Sequence, residues 1–245
     1  MLGLMMNDQL TITALMEHGR RVNADSEIVS VTHDNPRHRY TQRECFERAS
    51  QLAHALRKLG LEDGESVGTI AWNDYRHMEI YYGVACSGSI CHTINPRLFP
   101  EQLVYIINHA EDKFLMVDPM FLPLVEAIST HAPNVKGVIL LTSKDAMPET
   151  SLPNVYCYEE LLAGESIDYP WPDLDENTAC SLCYTSGTTG NPKGVLYSHR
   201  SLVLQSYAGC SGMGIDATDT TLPIVPMFHV NAWNCLLYTS DAADD

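Results

Sequence analysis

Apolar positions between residues 41 and 60, TQRECFERASQLAHALRKLG, recur at Phe46, Ala49, Leu52, Ala53 and Leu56. That spacing gathers them on one face of an α-helix. Thr41 and Glu44 stand at the separation of a capping box, which satisfies two amides of the first turn reciprocally. Gly60 suits the left-handed residue just past the helix end. The pattern then shortens. ESVGTIAWN (65–73) reads as a buried strand, YRHMEIYYGVACSGSI (75–90) as a helix, and PEQLVYIINHAE (100–111) as a helix with Pro100 at its start. FLMVD (114–118) is a strand, FLPLVEAISTHA (121–132) a helix and VKGVILLT (135–142) a strand. Further on, ACSLCY (179–184) predicts a strand, and GVLYSHRSLVLQSYA (194–208) a strand turning into a helix.

Strands alternating with helices at these lengths predict an α/β fold, with parallel sheets flanked by helices. SKDAMPETSLPN (143–154) and the acidic, proline-rich GESIDYPWPDLDENT (164–178) read as surface connections. No internal repeat or low-complexity tract interrupts the alternation.

Composition narrows the function classes. A length of 245 residues suits one large domain or two small ones. A net charge of −16 disfavours general binding to nucleic acid or to anionic membranes. It leaves room for a local phosphate site, because backbone dipoles and one lysine suffice to hold a phosphate. The N-terminal MLGLMMNDQL has no basic region and too short an apolar run for a signal peptide, and no apolar stretch is long enough to span a bilayer. The eight cysteines are scattered singly in apolar contexts, as reduced, buried thiols would be, so the expected compartment is the cytoplasm. Cys180 and Cys183 form a CxxC, but no second pair matches it, and a structural role is the better reading.

Candidate chemistry concentrates between the last two strands. Thr185, Ser186, Gly187, Thr188, Thr189, Gly190, Asn191, Pro192, Lys193 and Gly194 follow one another without a large apolar side chain. Glycines let the backbone turn sharply and come close to a ligand. The freed amides can cradle an anion, hydroxyls add neutral donors or a metal ligand, and Lys193 adds a point charge. The segment is not a Walker A loop, because its lysine precedes Gly194 and a β-type run rather than a helix. A polar hairpin of small residues without a ligand is the alternative. Ligands in open α/β sheets bind beyond the carboxyl ends of strands, where this segment lies.

YTSGTTGNPKG (184–194) resembles the signature loop of the adenylate-forming enzymes: acyl-CoA synthetases, firefly luciferase and peptide-synthetase adenylation domains. PIVPMFHVNAW (223–233) and HTINPRLFPEQLVYIINHAEDK (92–113) resemble fatty-acyl-CoA synthetases of the medium- and long-chain type, including the methylthiopropionate-CoA ligases. The resemblance implies a partial N-terminal adenylation domain over residues 1–234, covering half or less of a typical member. It implies a carboxylic acid, ATP with Mg2+, and CoA as the reacting partners, with no nucleic acid, and it admits a homodimer for the full-length protein. By resemblance, Thr185 is a magnesium ligand and Thr185, Ser186, Gly187, Thr188, Thr189, Gly190 and Lys193 hold the nucleotide, with Lys193 and His229 catalytic. His229 would also lie by the bound carboxylate, and Trp233 would gate an acyl tunnel. Without the family phrase, a histidine beside Met227 and Phe228 is ordinarily a core residue and a tryptophan ordinarily packing.

Two other readings stand beside the acyl-CoA synthetase. One is a fragment of the peptide-synthetase or luciferase branch, against which FHVNAW argues. The other is an inactive truncated product with at most weak ATP binding. The family's later adenine-binding segment, ribose-binding Asp, hinge and mobile C-terminal domain are not found in these residues. The tail CLLYTSDAADD (235–245) resembles the translation of a sequencing-library adapter and is expected to be non-native.

Overall fold

The computed structural model describes residues 1, 4–185, 191–216 and 218–229. In chain order the elements are α1 (Ile12–Val22), β1 (Glu27–Ser30), β2 (His38–Thr41), α2 (Gln42–Lys58), β3 (Ser66–Ile70), α3 (Tyr75–Cys86), β4 (Ile90–Thr93), α4 (Pro100–His109), β5 (Phe114–Val117), α5 (Leu122–Ile128), β6 (Gly137–Leu140), β7 (Val155–Cys157), α6 (Tyr158–Leu162), β8 (Ala179–Thr185), β9 (Lys193–Ser198) and α7 (His199–Met213). β1 and β2 pair antiparallel as a small separate ribbon. The other seven strands form one sheet in the order β7-β6-β5-β3-β4-β8-β9. All neighbours in it run parallel except β8 and β9, which are antiparallel.

The predicted parallel sheet with helices on both faces is therefore present, closed on one side by an antiparallel strand. Side chains of the inner strands alternate between two cores. Phe114, Met116 and Ile139 join one cluster with residues of α1, α2, α3, α6 and α7. Leu115, Val117, Val138 and Leu140 join the other with α4 and α5. Because both faces are covered, the strands read as continuous apolar runs rather than alternating ones.

Two sequence expectations shift. The helix expected over 75–90 ends at Cys86, and β4 follows at once. Gly88 takes φ +87°, which reverses the chain between them. β7 and α6 occupy residues that carried no predicted element. The capping box on α2 forms as expected, with Glu44 N donating to Thr41 Oγ1 at 3.3 Å and Thr41 N donating to Glu44 Oε2 at 2.7 Å.

After β3 the chain builds β4 on one side and then β5 on the other. The carboxyl ends around β3 thus form the crevice at which doubly wound sheets take their ligands. Gly68, in the middle of β3, lets its neighbours come close. A Cβ there would stand 2.7 Å from Leu115 Cδ2 and 3.0 Å from Asp112 Oδ2.

Candidate active site

β8 ends at Thr185 and β9 begins at Lys193, and the two residues face each other in register. β8 and β9 are therefore an antiparallel pair whose ends, Thr185 and Lys193, meet at the carboxyl end of β8. A hairpin and a phosphate loop are not exclusive, since it is the backbone and hydroxyl chemistry of the connection that decides what it holds. Thr185 Oγ1 donates to the Lys193 carbonyl at 3.5 Å, the long limit of such a bond. Both residues are exposed. Ser186, Gly187, Thr188, Thr189 and Gly190 lie outside the described residues.

The root of the hairpin is tied to the sheet. Tyr184 shares a 2.7 Å hydrogen bond with His109 Nδ1 at the end of α4, and its ring lies 5.1 Å from that of His92 on β4. Burial pushes the Tyr184 hydroxyl up to about 12, so it stays neutral at physiological pH. Gly194, opposite Tyr184, has no side chain to obstruct this ring, since a Cβ there would stand 3.1 Å from Tyr184 Cζ.

At the carboxyl end of β3, Trp72, Asn73 and Asp74 form the turn into α3. Trp72 N donates to Asp118 Oδ2 at 2.7 Å, just beyond β5. Asp74 caps α3 by accepting from His77 N at 2.8 Å. Burial and then the neighbouring Asp118 charge push the Asp74 carboxyl up to about 7. Burial pushes Asp118 up to about 6, against the pull of the Trp72 amide. His77, buried beneath them, is driven down to about 4 by burial and is neutral near pH 7.

The segment 223–229 lies against this turn. Asn73 Nδ2 donates to the carbonyls of Pro223 and Val225 at 2.8 and 2.9 Å, and its Oδ1 accepts from Met227 N at 2.6 Å. Phe228 sits with its ring 5.5 Å from Trp72, and His229 N closes a turn onto the Pro226 carbonyl at 2.9 Å. Met227 and Phe228 are buried while His229 is exposed.

Of the expected site residues, the described ones are Thr185 and Lys193 at the carboxyl end of β8, and His229 in the segment lying against the turn after β3. β3 and β8 are separated by β4 alone, or two strand spacings, about 10 Å. Trp233 lies outside the described residues, as does the tail 235–245. Cys180 and Cys183 are buried among the core strands, and Cys180 Sγ contacts the Tyr197 carbonyl at 3.4 Å. No group of three His, Cys, Asp or Glu among the described residues could hold a metal ion. No described helix is long and apolar enough to cross a membrane. Sequence reading did not single out Trp72, Asn73, Asp118 or Tyr184. The available signal was their position, immediately after or at the carboxyl ends of strands.

Sequence comparison shows the family. The family described as "AMP-binding enzyme" matches residues 17–240. The chain belongs to that family. It is 50% identical over 235 residues to the medium-chain-fatty-acid–CoA ligase of Ectopseudomonas oleovorans, a match covering 95% of this chain and 43% of that protein. It is 51% identical over 235 residues to the 3-methylmercaptopropionyl-CoA ligase of Ruegeria lacuscaerulensis, covering 95% and 44% respectively. Among solved structures it is similar to the anthranilate CoA ligase AuaEII in complex with anthranoyl-AMP. The TM-score is 0.81 at 23% identity, over 95% of this chain and 44% of that one, and the likeness is one of fold. The chain spans less than half the length of these relatives.

Proposed function

We propose that the full-length protein carrying this chain is an ATP-dependent acyl-CoA synthetase acting on a fatty or related carboxylic acid. In this reading, residues 1–234 contribute part of its adenylation domain. A carboxylate attacks the α-phosphate of ATP, forming an acyl-adenylate and releasing pyrophosphate. The thiol of CoA then attacks the acyl carbonyl and releases AMP. The observation that carries the reading is that Thr185 and Lys193, the exposed residues flanking the glycine- and hydroxyl-rich sequence 186–192, meet in register at the carboxyl end of β8, beside β4 in the parallel sheet.

The chemistry asked of these residues is chiefly positioning and electrostatic stabilisation. Lys193 supplies a positive charge for the β- and γ-phosphates, and the loop amides and hydroxyls supply donors. The exposed Thr185 hydroxyl would offer a hard oxygen donor to a Mg2+ ion arriving with ATP. Mg2+ bound with ATP would neutralise phosphate charge. His229, exposed just after the buried Met227 and Phe228, would donate to or orient the carboxylate. Seven free cysteines among the described residues, six of them buried, suit a reducing, cytoplasmic setting. A homodimer is compatible with this reading.

The test is acid-dependent exchange of labelled pyrophosphate into ATP by the full-length protein. The acids are octanoate, palmitate and 3-methylmercaptopropionate, followed by acyl-CoA formation when CoA is added. Exchange with at least one acid is expected. Absence of exchange with every carboxylic acid offered would refute the reading.

A further inference from the structure

The turn Pro226–His229 is held from beneath by one side chain that none of the sequence motifs included. Asn73 directs both of its amide N–H groups and its carbonyl oxygen at the backbone of 223–227, about 150 residues away in the chain. Tyr81 OH donates to the Met227 carbonyl, so Met227 is fixed through its N–H and its C=O alike. Phe228 packs on Trp72, the residue beside Asn73. His229 is the first exposed side chain to leave this buried turn.

We infer that Asn73 is the positioning residue for His229: its carboxamide locks the turn that carries the histidine to the reaction centre. The inference rests on the acyl-adenylating reading for the reaction itself, but not for the lock. The chemistry of the side chain is specific. Two donors and one acceptor on a short stem match two carbonyls and one amide. Aspartate offers acceptors only and would face the Pro223 and Val225 carbonyls with negative charge. Alanine offers nothing, and glutamine places the same groups one methylene too far out. The turn between β3 and α3 is itself fixed, by the Trp72 amide on Asp118 and by the Asp74 cap, so Asn73 transmits the position of the sheet to His229.

The experiment uses the full-length protein and its Asn73→Ala and Asn73→Asp variants, with two readouts. Hydrogen exchange of the 224–229 amides needs no activity. It should quicken about 10- to 100-fold in both variants, as expected for losing two or three net hydrogen bonds, with β3 and β5 amides unchanged as the internal control. Pyrophosphate exchange reads position. kcat/KM for the acid should fall about 10-fold or more in Asn73→Ala, the sensitivity expected of a misplaced reacting group, with KM for ATP within about 2-fold. In a His229→Ala background, Asn73→Ala should add less than about 2-fold, because residues acting as a unit are non-additive. Unchanged amide exchange in both variants would overturn the lock. An Asn73→Ala loss equally large with and without His229 would overturn the positioning role. Should wild-type protein show no pyrophosphate exchange with any acid, the enzymatic reading falls, while the amide measurement still decides the lock.

Discussion

Arg76, on the first turn of α3, is 2% exposed and carries the densest set of bonds near the crevice. Its guanidinium donates to both carboxylate oxygens of Asp34 at 3.1 and 2.8 Å, to Glu159 Oε1 at 2.8 Å and to the Leu141 carbonyl at 3.1 Å. Arg76→Met keeps the stem and removes all four donors. Asp34, whose side chain is 4% exposed, would then hold a buried charge without its cation. Breaking such a pair costs about 3–5 kcal/mol. The low end applies, because the Ser143 amide and Thr32 hydroxyl still donate to Asp34 at 2.8 and 2.7 Å, and Arg48 still holds Glu159 at 3.0 Å. We expect about 3 kcal/mol, or a protection loss near 100-fold, in hydrogen exchange of the globally protected β6 and α3 amides of the full-length protein. The pH dependence supplies the sign. Burial raises the Asp34 carboxyl, but the Arg76 and Thr32 hydrogen bonds and the Arg76 charge outweigh it and hold it well below the usual carboxylate range. Its stabilising contribution is therefore present above about pH 4 and lost as pH falls through the folded value. In Arg76→Met the burial effect is unopposed by the cation, so acidification relieves the variant. The gap between wild type and variant should narrow on going from pH 7 to pH 4, and Asp34→Asn added to Arg76→Met should recover part of the loss. A variant within about 0.5 kcal/mol of wild type at pH 7, the range of an ordinary surface substitution, would refute the reasoning.

Lys193→Ala should slow pyrophosphate exchange by about 10²–10³ at saturating acid, the usual cost of one transition-state donor, and an unchanged rate would remove Lys193 from the mechanism. Trp233→Ala should alter the chain-length profile by about 1–3 kcal/mol per discriminated step while sparing KM for ATP, and an identical profile would make it a packing residue. Asp74 and Asp118 titrate higher folded than unfolded, so they make stability fall as pH rises from about 4 to about 7. Asp118→Asn should flatten that decline in unfolding midpoints taken at pH 5 and pH 7, and an identical pH profile would refute it. Chain 1–245 produced alone should self-associate, because edge strand β9 leaves Leu196 59% exposed, α7 leaves Tyr207 58% exposed, and Ile224 is 85% exposed. A monodisperse monomer by light scattering would contradict this.

What was legible in the sequence was local. The Thr41–Glu44 capping box, the apolar face of α2 and the buried strands β3, β5 and β6 are encoded in contiguous residues, and they fold as read. The strands β8 and β9 that flank the 186–192 sequence were legible for the same reason. β4 was not, because four residues, Ile90–Thr93, continue the apolar run of α3 and only the positive φ of Gly88 separates them. β1 and β2 were hidden because each is four residues long and only partly buried. Asn73 was illegible on different grounds. Its partners lie about 150 residues downstream, and nothing in WND distinguishes an amide that locks a distant turn from one facing water.

The electrostatics of the crevice follow from the same arrangement. A chain of net charge −16 must accept a polyanion for the proposed chemistry to run. Screening in physiological salt reaches about 8 Å, so distant surface acids matter little and the groups at the strand ends decide. The two acids at the neighbouring ends, Asp74 and Asp118, have carboxyls raised to about 7 and about 6 by burial. Near neutrality, Asp74 is therefore protonated for a large fraction of the time, and the edge carries less negative charge than its sequence implies. The cations of the crevice are placed with the opposite logic. Arg76 is spent on Asp34 and Glu159 and is buried, whereas Lys193 is exposed at the root of the hairpin. Buried Met227 and Phe228 and the bonds of half-buried Asn73 fix position, and in the proposed reading the exposed Thr185, Lys193 and His229 are the groups that would meet the ligand. Separating anchor from reactive group lets each exposed side chain keep its place without being sequestered by the bonds that hold it there.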